Sequence, residues 1–347
     1  MILAGIVAHS AWSARKNLPK QAVPKAVSVS DPLQIDPNFQ FHETDFGMVE
    51  RQEPSFDTDA NLVALAELTT PERKAALDIL IDSMALVTLE SPVAGEAALA
   101  AMPSTRRVGS KPFGIEGSNV FTGEWEVPGA GQRYSAFQCG VQLANRTGAL
   151  SQIEYSEFVM KTQAFADALG GEVEFTEMQG EVARARELDQ FASAHDAQLI
   201  FNLRAIKTAW STGYVQQSAA SLGFVPGSIP GRMVLPASKP GQEGPILGLS
   251  FDSQAAMAEE PEQTALHELS LSLDVPQVLR SETPFARMCE IAIALAGSMD
   301  GAIVDDNAIL VRPEVMEAIH ADLEQLYDRM DARELSAGSA LGRRLFS

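Results

Sequence analysis

Two stretches of the chain carry the same apolar spacing 130 residues apart. Residues 154–171 place Tyr155, Phe158, Val159, Thr162, Phe165, Ala166 and Leu169 at relative positions 0, 3, 4, 7, 10, 11 and 14. Residues 284–301 place Phe285, Met288, Cys289, Ala292, Leu295, Ala296 and Met299 at the same positions. Recurrence every three or four residues gathers these side chains on one stripe, so each segment predicts an amphipathic helix with one buried side. Alternating apolar and polar residues precede each helix, at 134–144 and 266–275, and predict strands covered on one face. Each helix runs to a glycine, Gly171 or Gly301, suited to a left-handed cap. A short strand follows (172–175 and 302–305), then a second helix (177–194 and 313–331).

The front halves match at a different offset, because the second has a longer loop over 236–264. Opening strands at 85–90 and 198–204 lead into short helices at 95–102 and 212–222. Strands at 111–116 and 123–127 correspond to 232–235 and 246–251. The order β, α, β, β, β, α, β, α is thus read twice. This predicts an α+β fold of two repeats, each a mainly antiparallel sheet with helices on one face and the other face free. Ahead of the first repeat, Thr69-Thr70-Pro71 supplies a cap and a first-turn proline, which predicts a helix over 72–83.

A chain of 347 residues with 46% apolar and 21% charged residues has the composition of a folded protein of about two domains. Its 26 Lys and Arg against 46 Asp and Glu leave a net charge of −20. Binding to nucleic acid through phosphates needs a basic face, so that class is set aside. Cys139 and Cys289 sit far apart in apolar patterns and read as core thiols of a reducing compartment.

The amino terminus runs apolar from Met1 to Ala8, then presents Trp12 and the basic Arg15, Lys16, Lys20 and Lys25. A helix through Trp12 covers about 18 Å, short of the ~30 Å needed to span a bilayer. The order apolar, aromatic, basic is that of the cytoplasmic end of a membrane helix, with ~10 apolar residues expected upstream. Residues 19–70 hold Pro19, Pro24, Pro32, Pro37 and Pro54 and read as a disordered linker, within which Phe39, Phe41 and Phe46 form an apolar cluster.

Chemistry-bearing motifs are sparse. The sequence has no phosphate-binding glycine loop, no H-E-x-x-H and no paired C-x-x-C. His9, His42, His195, His267 and His320 are scattered. Asp300, Asp305 and Asp306 read as turn acids, 259–262 as a charged loop, and Ser250, Ser270 and Ser272 have no base tied to them. The expectation is a protein without catalysis, metal or cofactor. What remains is a surface. Alternation points Gln198, Ile200, Asn202 and Arg204 to the free face, with Gly248, Ser250, Ser270, Ser272 and Asp274. A floor of small residues suits shallow docking of a peptide.

The second repeat resembles a known family. Ala197-Gln198-Leu199-Ile200-Phe201-Asn202-Leu203, the helix end Leu222-Gly223-Phe224, the strand end Asp274-Val275-Pro276 and the run from Ala296 through Gly301-Ala302-Ile303-Val304-Asp305-Asp306 are similar to the C-terminal domain of the ZipA family, over residues 196–331. The resemblance implies a split β-α-β sandwich, and a bacterial cell division adaptor of the inner membrane, single-pass with its bulk in the cytoplasm. Its partner would be FtsZ, whose C-terminal peptide binds the free sheet face. By position the contacts fall on Gln198, Ile200, Asn202, Gly248, Ser250, Ser270 and Ser272, with Ile229 and Met233 at the rim. Family members are more apolar there, and only Ile200, Ile229 and Met233 supply comparable area. Each missing anchor removes about 1.5–3 kcal/mol, or about tenfold or more in affinity.

The chain accordingly divides into a membrane-proximal end (1–18), a linker (19–70), a first repeat (71–195), a ZipA-like domain (196–334) and a tail (335–347). The first repeat has no counterpart in single-domain members. Residues 196–347 hold 11 Lys and Arg against 20 Asp and Glu, a net −9, so an acidic partner would have to be held by apolar contact. The other reading is a soluble pair of ferredoxin-like repeats with a small molecule at their interface.

Overall fold

A computed structural model describes residues 76–238, 244–258, 264–305 and 308–347. The apolar start, the basic cluster, the linker with Phe39, Phe41 and Phe46, the 259–262 loop and Asp306 lie outside the described residues. Of the helix expected over 72–83, the described part is no helix: it turns at 79–81 and enters β1 (Asp82–Ala94). Asp78 explains the difference, because its carboxylate accepts the amide of Leu80 at 2.8 Å, a local turn that competes with helix formation. Beyond the turn, Asp82 and Ser83 are fully buried strand residues.

From β1 the chain continues through α1 (Gly95–Ala101), β2 (Arg107–Val108), β3 (Lys111–Asn119), β4 (Trp125–Glu126) and β5 (Arg133–Gln142). A small hairpin of β6 (Ala144–Asn145) and β7 (Gly148–Ala149) leads to α2 (Gln152–Leu169), β8 (Gly171–Glu174) and α3 (Met178–His195). The second half runs β9 (Gln198–Ala205), α4 (Thr212–Ser221), β10 (Val225–Pro226), β11 (Arg232–Pro236), β12 (Pro245–Ser250), α5 (Ser253–Ala256), β13 (Glu268–Asp274), α6 (Pro284–Met299), β14 (Gly301–Val304), α7 (Pro313–Asp331) and α8 (Ala340–Leu345). One sheet has the order β2-β3-β5-β1-β8 with β4 on β3; the other has β10-β11-β12-β13-β9-β14. Every ladder among the described residues is antiparallel, so the fold is α+β with two open antiparallel sheets.

The two long helices form where the spacing predicts. In α2, Ser151 and Glu154 make a reciprocal capping box: the Ser151 hydroxyl accepts the Glu154 amide at 3.2 Å, and the Glu154 carboxylate accepts the Ser151 amide at 2.9 Å. Tyr155, Phe158, Thr162, Phe165 and Ala166 are its buried residues, and Phe165 meets Phe137 edge-on at 5.1 Å. In α6, Pro284 occupies the first turn, and Phe285, Met288, Ala292, Leu295 and Met299 are buried. Both left-handed caps fall one residue before the expected glycines, at Gly170 (φ 66°) and Asp300 (φ 57°). Gly171 and Gly301 instead open β8 and β14. A Cβ at Gly171 would stand 2.9 Å from the Thr88 carbonyl oxygen, and one at Gly301 would stand 3.1 Å from the Trp210 ring. These glycines allow close strand approach rather than a turn.

Where the sheets join, Arg146 in the β6–β7 hairpin pairs with Asp196 at 2.7 Å and Asp274 at 2.7 Å. That hairpin is pinned by Lys111, a buried lysine that donates to Asn145 Oδ1 at 2.8 Å and the Gly148 carbonyl at 2.5 Å. Residues 335–347, read as a tail, are packed instead: Leu345 and Phe346 are buried. Gln142 donates to the Arg344 carbonyl at 2.7 Å and Gln277 to the Phe346 carbonyl at 2.7 Å, so the last helix bridges both sheets.

Arg344 also donates to the buried Asp82 carboxylate at 2.6 Å. Burial raises the Asp82 carboxyl above its ordinary range, and Arg344 pulls it back. A raised folded-state pKa means the ionised form costs stability near neutrality, a cost that disappears as pH falls through the folded-state value. Arg344→Leu should therefore destabilise by about 3–5 kcal/mol at pH 7, the cost of leaving a buried charge unpaired. Urea unfolding should show this loss shrinking toward acid pH and largely recovered at pH 7 in Asp82→Asn/Arg344→Leu.

Candidate peptide-docking face

Residues directly opposite each other in an antiparallel ladder share a face, so the register of the second sheet fixes its rows. Arg232 stands opposite Ser250, Ser250 opposite Ser270, and Ser270 opposite Asn202. The neighbouring row is Val234, Gly248, Ser272 and Ile200. Asp274 opposite Gln198 begins a third. The rows between them, such as Leu249, Leu271 and Phe201, are buried in the core. The seven expected strand positions Gln198, Ile200, Asn202, Gly248, Ser250, Ser270 and Ser272 thus lie together on one side.

Two rim residues do not join them. Met233 pairs with Leu249 and is 3% exposed, so it belongs to the core; Val234 takes its place on the open face. The run Arg232-Met233-Val234-Leu235-Pro236 is apolar at three successive positions, which leaves the phase of alternation undecided in the sequence. Ile229 is exposed in the turn before β11 and forms no part of the groove wall.

A groove of about 490 Å³ runs over this face. Gly248 is its low point, and a Cβ there would stand 2.7 Å from Ser272 Oγ. Ile200, 45% exposed, and Val234 flank Gly248 and Ser272 from the two ends of their row, and Ile246 and Val278, both largely buried, also line the groove. Val234, Ile246 and Val278 went unseen in the sequence. Val278 follows a 3-10 turn (Val275–Gln277), whose direction no periodicity announces. The floor is consequently more apolar than the sequence suggests. Arg232 lies at the other end and makes no ion pair among the described residues, whereas Asp274 is held by Arg146.

Two of the three serine hydroxyls are spent within the sheet. Ser270 donates to Asn202 Oδ1 at 2.7 Å, leaving Asn202 only 9% exposed, and Ser272 donates to the Gly248 carbonyl at 3.3 Å. Elsewhere, Asp300 is a helix cap and Asp305 accepts the Ile309 amide at 2.8 Å. His267 and His320 are exposed, the latter stacked on Phe285. Among the described residues no group of three His, Cys, Asp or Glu side chains is placed to hold a metal ion. Near the junction, where a small molecule was the other expectation, a cavity of about 230 Å³ lies among the β6–β7 hairpin, α3 and the end of α8, against Asn145, Arg146, Asp189, Ser193 and Asp196; its cation is engaged by Asp196 and Asp274.

Neither models of protein families nor curated proteins give a match to this chain. Among the described residues no helix is long and apolar enough to cross a membrane.

Burial pushes the Cys139 thiol up to about 12 and the Cys289 thiol up to about 11. At pH 8 about one Cys289 in a thousand is then a thiolate, the reactive form. Labelling of the native protein with a thiol reagent should be slow at pH 8 and rise about tenfold per pH unit up to pH 10. Cys139 should react only after denaturation.

Proposed function

We propose that this chain is a non-enzymatic, membrane-tethered adaptor of cell division that captures the C-terminal tail of FtsZ on the open face of its second sheet. The observation that carries this reading is the groove over Gly248, which no described residue covers, lined by Ile200, Val234, Ile246 and Val278 and by Arg232, which makes no ion pair among the described residues. An extended tail with an aliphatic side chain would seat that chain between Ile200 and Val278. An acidic residue of the tail would meet Arg232, which offsets locally the repulsion expected from the net −9 of residues 196–347. The apolar run at 1–8 and the basic cluster after Trp12 would hold the unit at the inner membrane, where surface confinement raises the effective concentration of partner tails.

We further read the two sheets as two copies of one split β-α-β unit related to the ZipA C-terminal domain. Support comes from the shared order of five strands, β2-β3-β5-β1-β8 beside β11-β12-β13-β9-β14, which matches 111–119 to 245–250 rather than to 232–235 and leaves 125–126, paired off the path on β3, without a counterpart. Gly171 stands opposite Leu89 and Gly301 opposite Ala205. Matching Leu89 to Ala205 brings Met84, Gly140 and Gly114 onto Ile200, Ser272 and Gly248, each a cross-strand row.

The test is fluorescence anisotropy of a labelled FtsZ tail peptide titrated with the full chain. Saturable binding should be weakened about tenfold or more by Ile200→Glu, which replaces an apolar wall with a charge. Arg232→Glu should weaken it about two- to fivefold, an effect that added salt diminishes. Absence of saturation at high micromolar protein would remove the reading. Flotation with anionic vesicles should be lost when residues 1–18 are deleted; retention would remove the tether.

A further inference from the structure

The row of the first sheet that matches the groove is not empty. Met84, Gly140 and Gly114 are opposite one another across β1, β5 and β3. Leu77, from the segment that leads into β1, lies across both glycines. A Cβ at Gly140 would stand 2.7 Å from Leu77 Cδ2, and one at Gly114 would stand 3.2 Å from the same atom. Any side chain at Gly140 would displace it.

The backbone of this strap is held as firmly as its side chain. The amides of Ala76 and Leu77 both donate to Oε1 of Glu116, the latter at 2.9 Å. Glu116 is 2% exposed, and its other oxygen accepts from Gln138 at 2.7 Å. Arg344 donates to the Ala76 carbonyl. A buried carboxylate that accepts two successive amides of a crossing strand is a peptide-holding group, since hydrogen bonds to a charged acceptor are among the stronger ones. Beside Leu77 a cavity of about 240 Å³ opens against Met102, Pro103, Phe113 and Val127. Among the described residues, the same face therefore has room for one side chain beyond Leu77.

We propose that the open face of the first sheet is a second peptide groove, closed in cis by Ala76 and Leu77. Its ligand class is an extended segment with a leucine-sized side chain and two successive free amides. The inference rests on the reading of the sheets as two copies, but not on the identity of the partner at the second face. A tethered occupant acts at an effective concentration of the order of mM, so a free peptide of equal quality is excluded at micromolar concentration. Among the described residues, one groove is open and one is filled.

The probe is a labelled, end-capped peptide copying residues 72–80 of this chain, titrated with the full chain. Leu77→Asp, which sets a carboxylate beside Glu116, should expel the strap and bind the probe about tenfold or more tightly than the unaltered chain does. Addition of Ile200→Glu should leave that binding unchanged, and addition of Glu116→Gln should weaken it. The idea is overturned if Leu77→Asp keeps its thermal melt yet shows no saturable binding. It is equally overturned if the unaltered chain binds the probe as well, or if Ile200→Glu abolishes the signal. Should Leu77→Asp fail to fold, Leu77→Ala is judged by the same criteria. A missing response to the FtsZ tail peptide leaves this titration readable.

Discussion

The unbroken ladder of β9 against β13, from Gln198 opposite Asp274 to Arg204 opposite Glu268, decides what the second half of the molecule shows to solvent. Side chains alternate with period two, so a slip of one residue would send Phe201, Leu203, Leu269, Leu271 and Leu273 outward and bring Ser270, Ser272 and Ile200 onto α6. All five of the former are buried, and together they meet the apolar stripe of α6. Each residue sealed into that layer removes roughly 1.5–3 kcal/mol of exposed apolar surface, which makes the alternative register prohibitively costly. The groove is a by-product of that choice. Its small side chains are outward because larger apolar ones are required inward.

The parts of this architecture that were legible in the sequence are those governed by one local period. The spacing of Tyr155 to Leu169 and of Phe285 to Met299 gave both long helices, and strict alternation in 269–275 gave β13 and its outward serines. Where two patterns fit equally, local reading lost the phase. Met233 and Val234 exchange faces on a single unit of register that only pairing with Leu249 and Gly248 fixes. Long-range partners were invisible for a related reason. Asp82 reads as a polar helix end until Arg344, 262 residues away, makes it a buried strand residue. Likewise Ile246 and Val278 wall the groove only because the 3-10 turn after β13 folds back over β12.

The same long-range chemistry joins the two sheets. Three positive groups, Lys111, Arg146 and Arg344, sit near their junction in a chain whose net charge is −20. Lys111 is held by neutral acceptors, and desolvation lowers its pKa, so its contribution is to fix the hairpin that carries Arg146. Arg146 then bridges two acids of the second half, and Arg344 satisfies a buried acid of the first. With both arginines matched to specific carboxylates, acidic halves that would otherwise repel are held in a fixed relation. That relation is further set by Leu345 and Phe346, which are buried beside the same bonds.

On the proposed matching, the strapped face of the first sheet and the open face of the second differ by one substitution of chemistry that would set what each can hold. At the position matching Glu116 of the first sheet, the second carries Ser250. Glu116 is a buried anion whose full satisfaction demands donors, and the strap provides two amides. Ser250 makes no such demand, and the charge next to it in the row is the cation Arg232. A segment like 76–77 moved to the second face would lose its carboxylate anchor and gain nothing from a guanidinium, while an acidic tail placed on the first face would meet Glu116 with like charge. The shared glycine at the centre of each row leaves space for an aliphatic side chain in both cases; on the proposed reading the charged neighbour separates the strap from a partner's tail. On that reading two matched faces can coexist in one chain without exchanging their occupants.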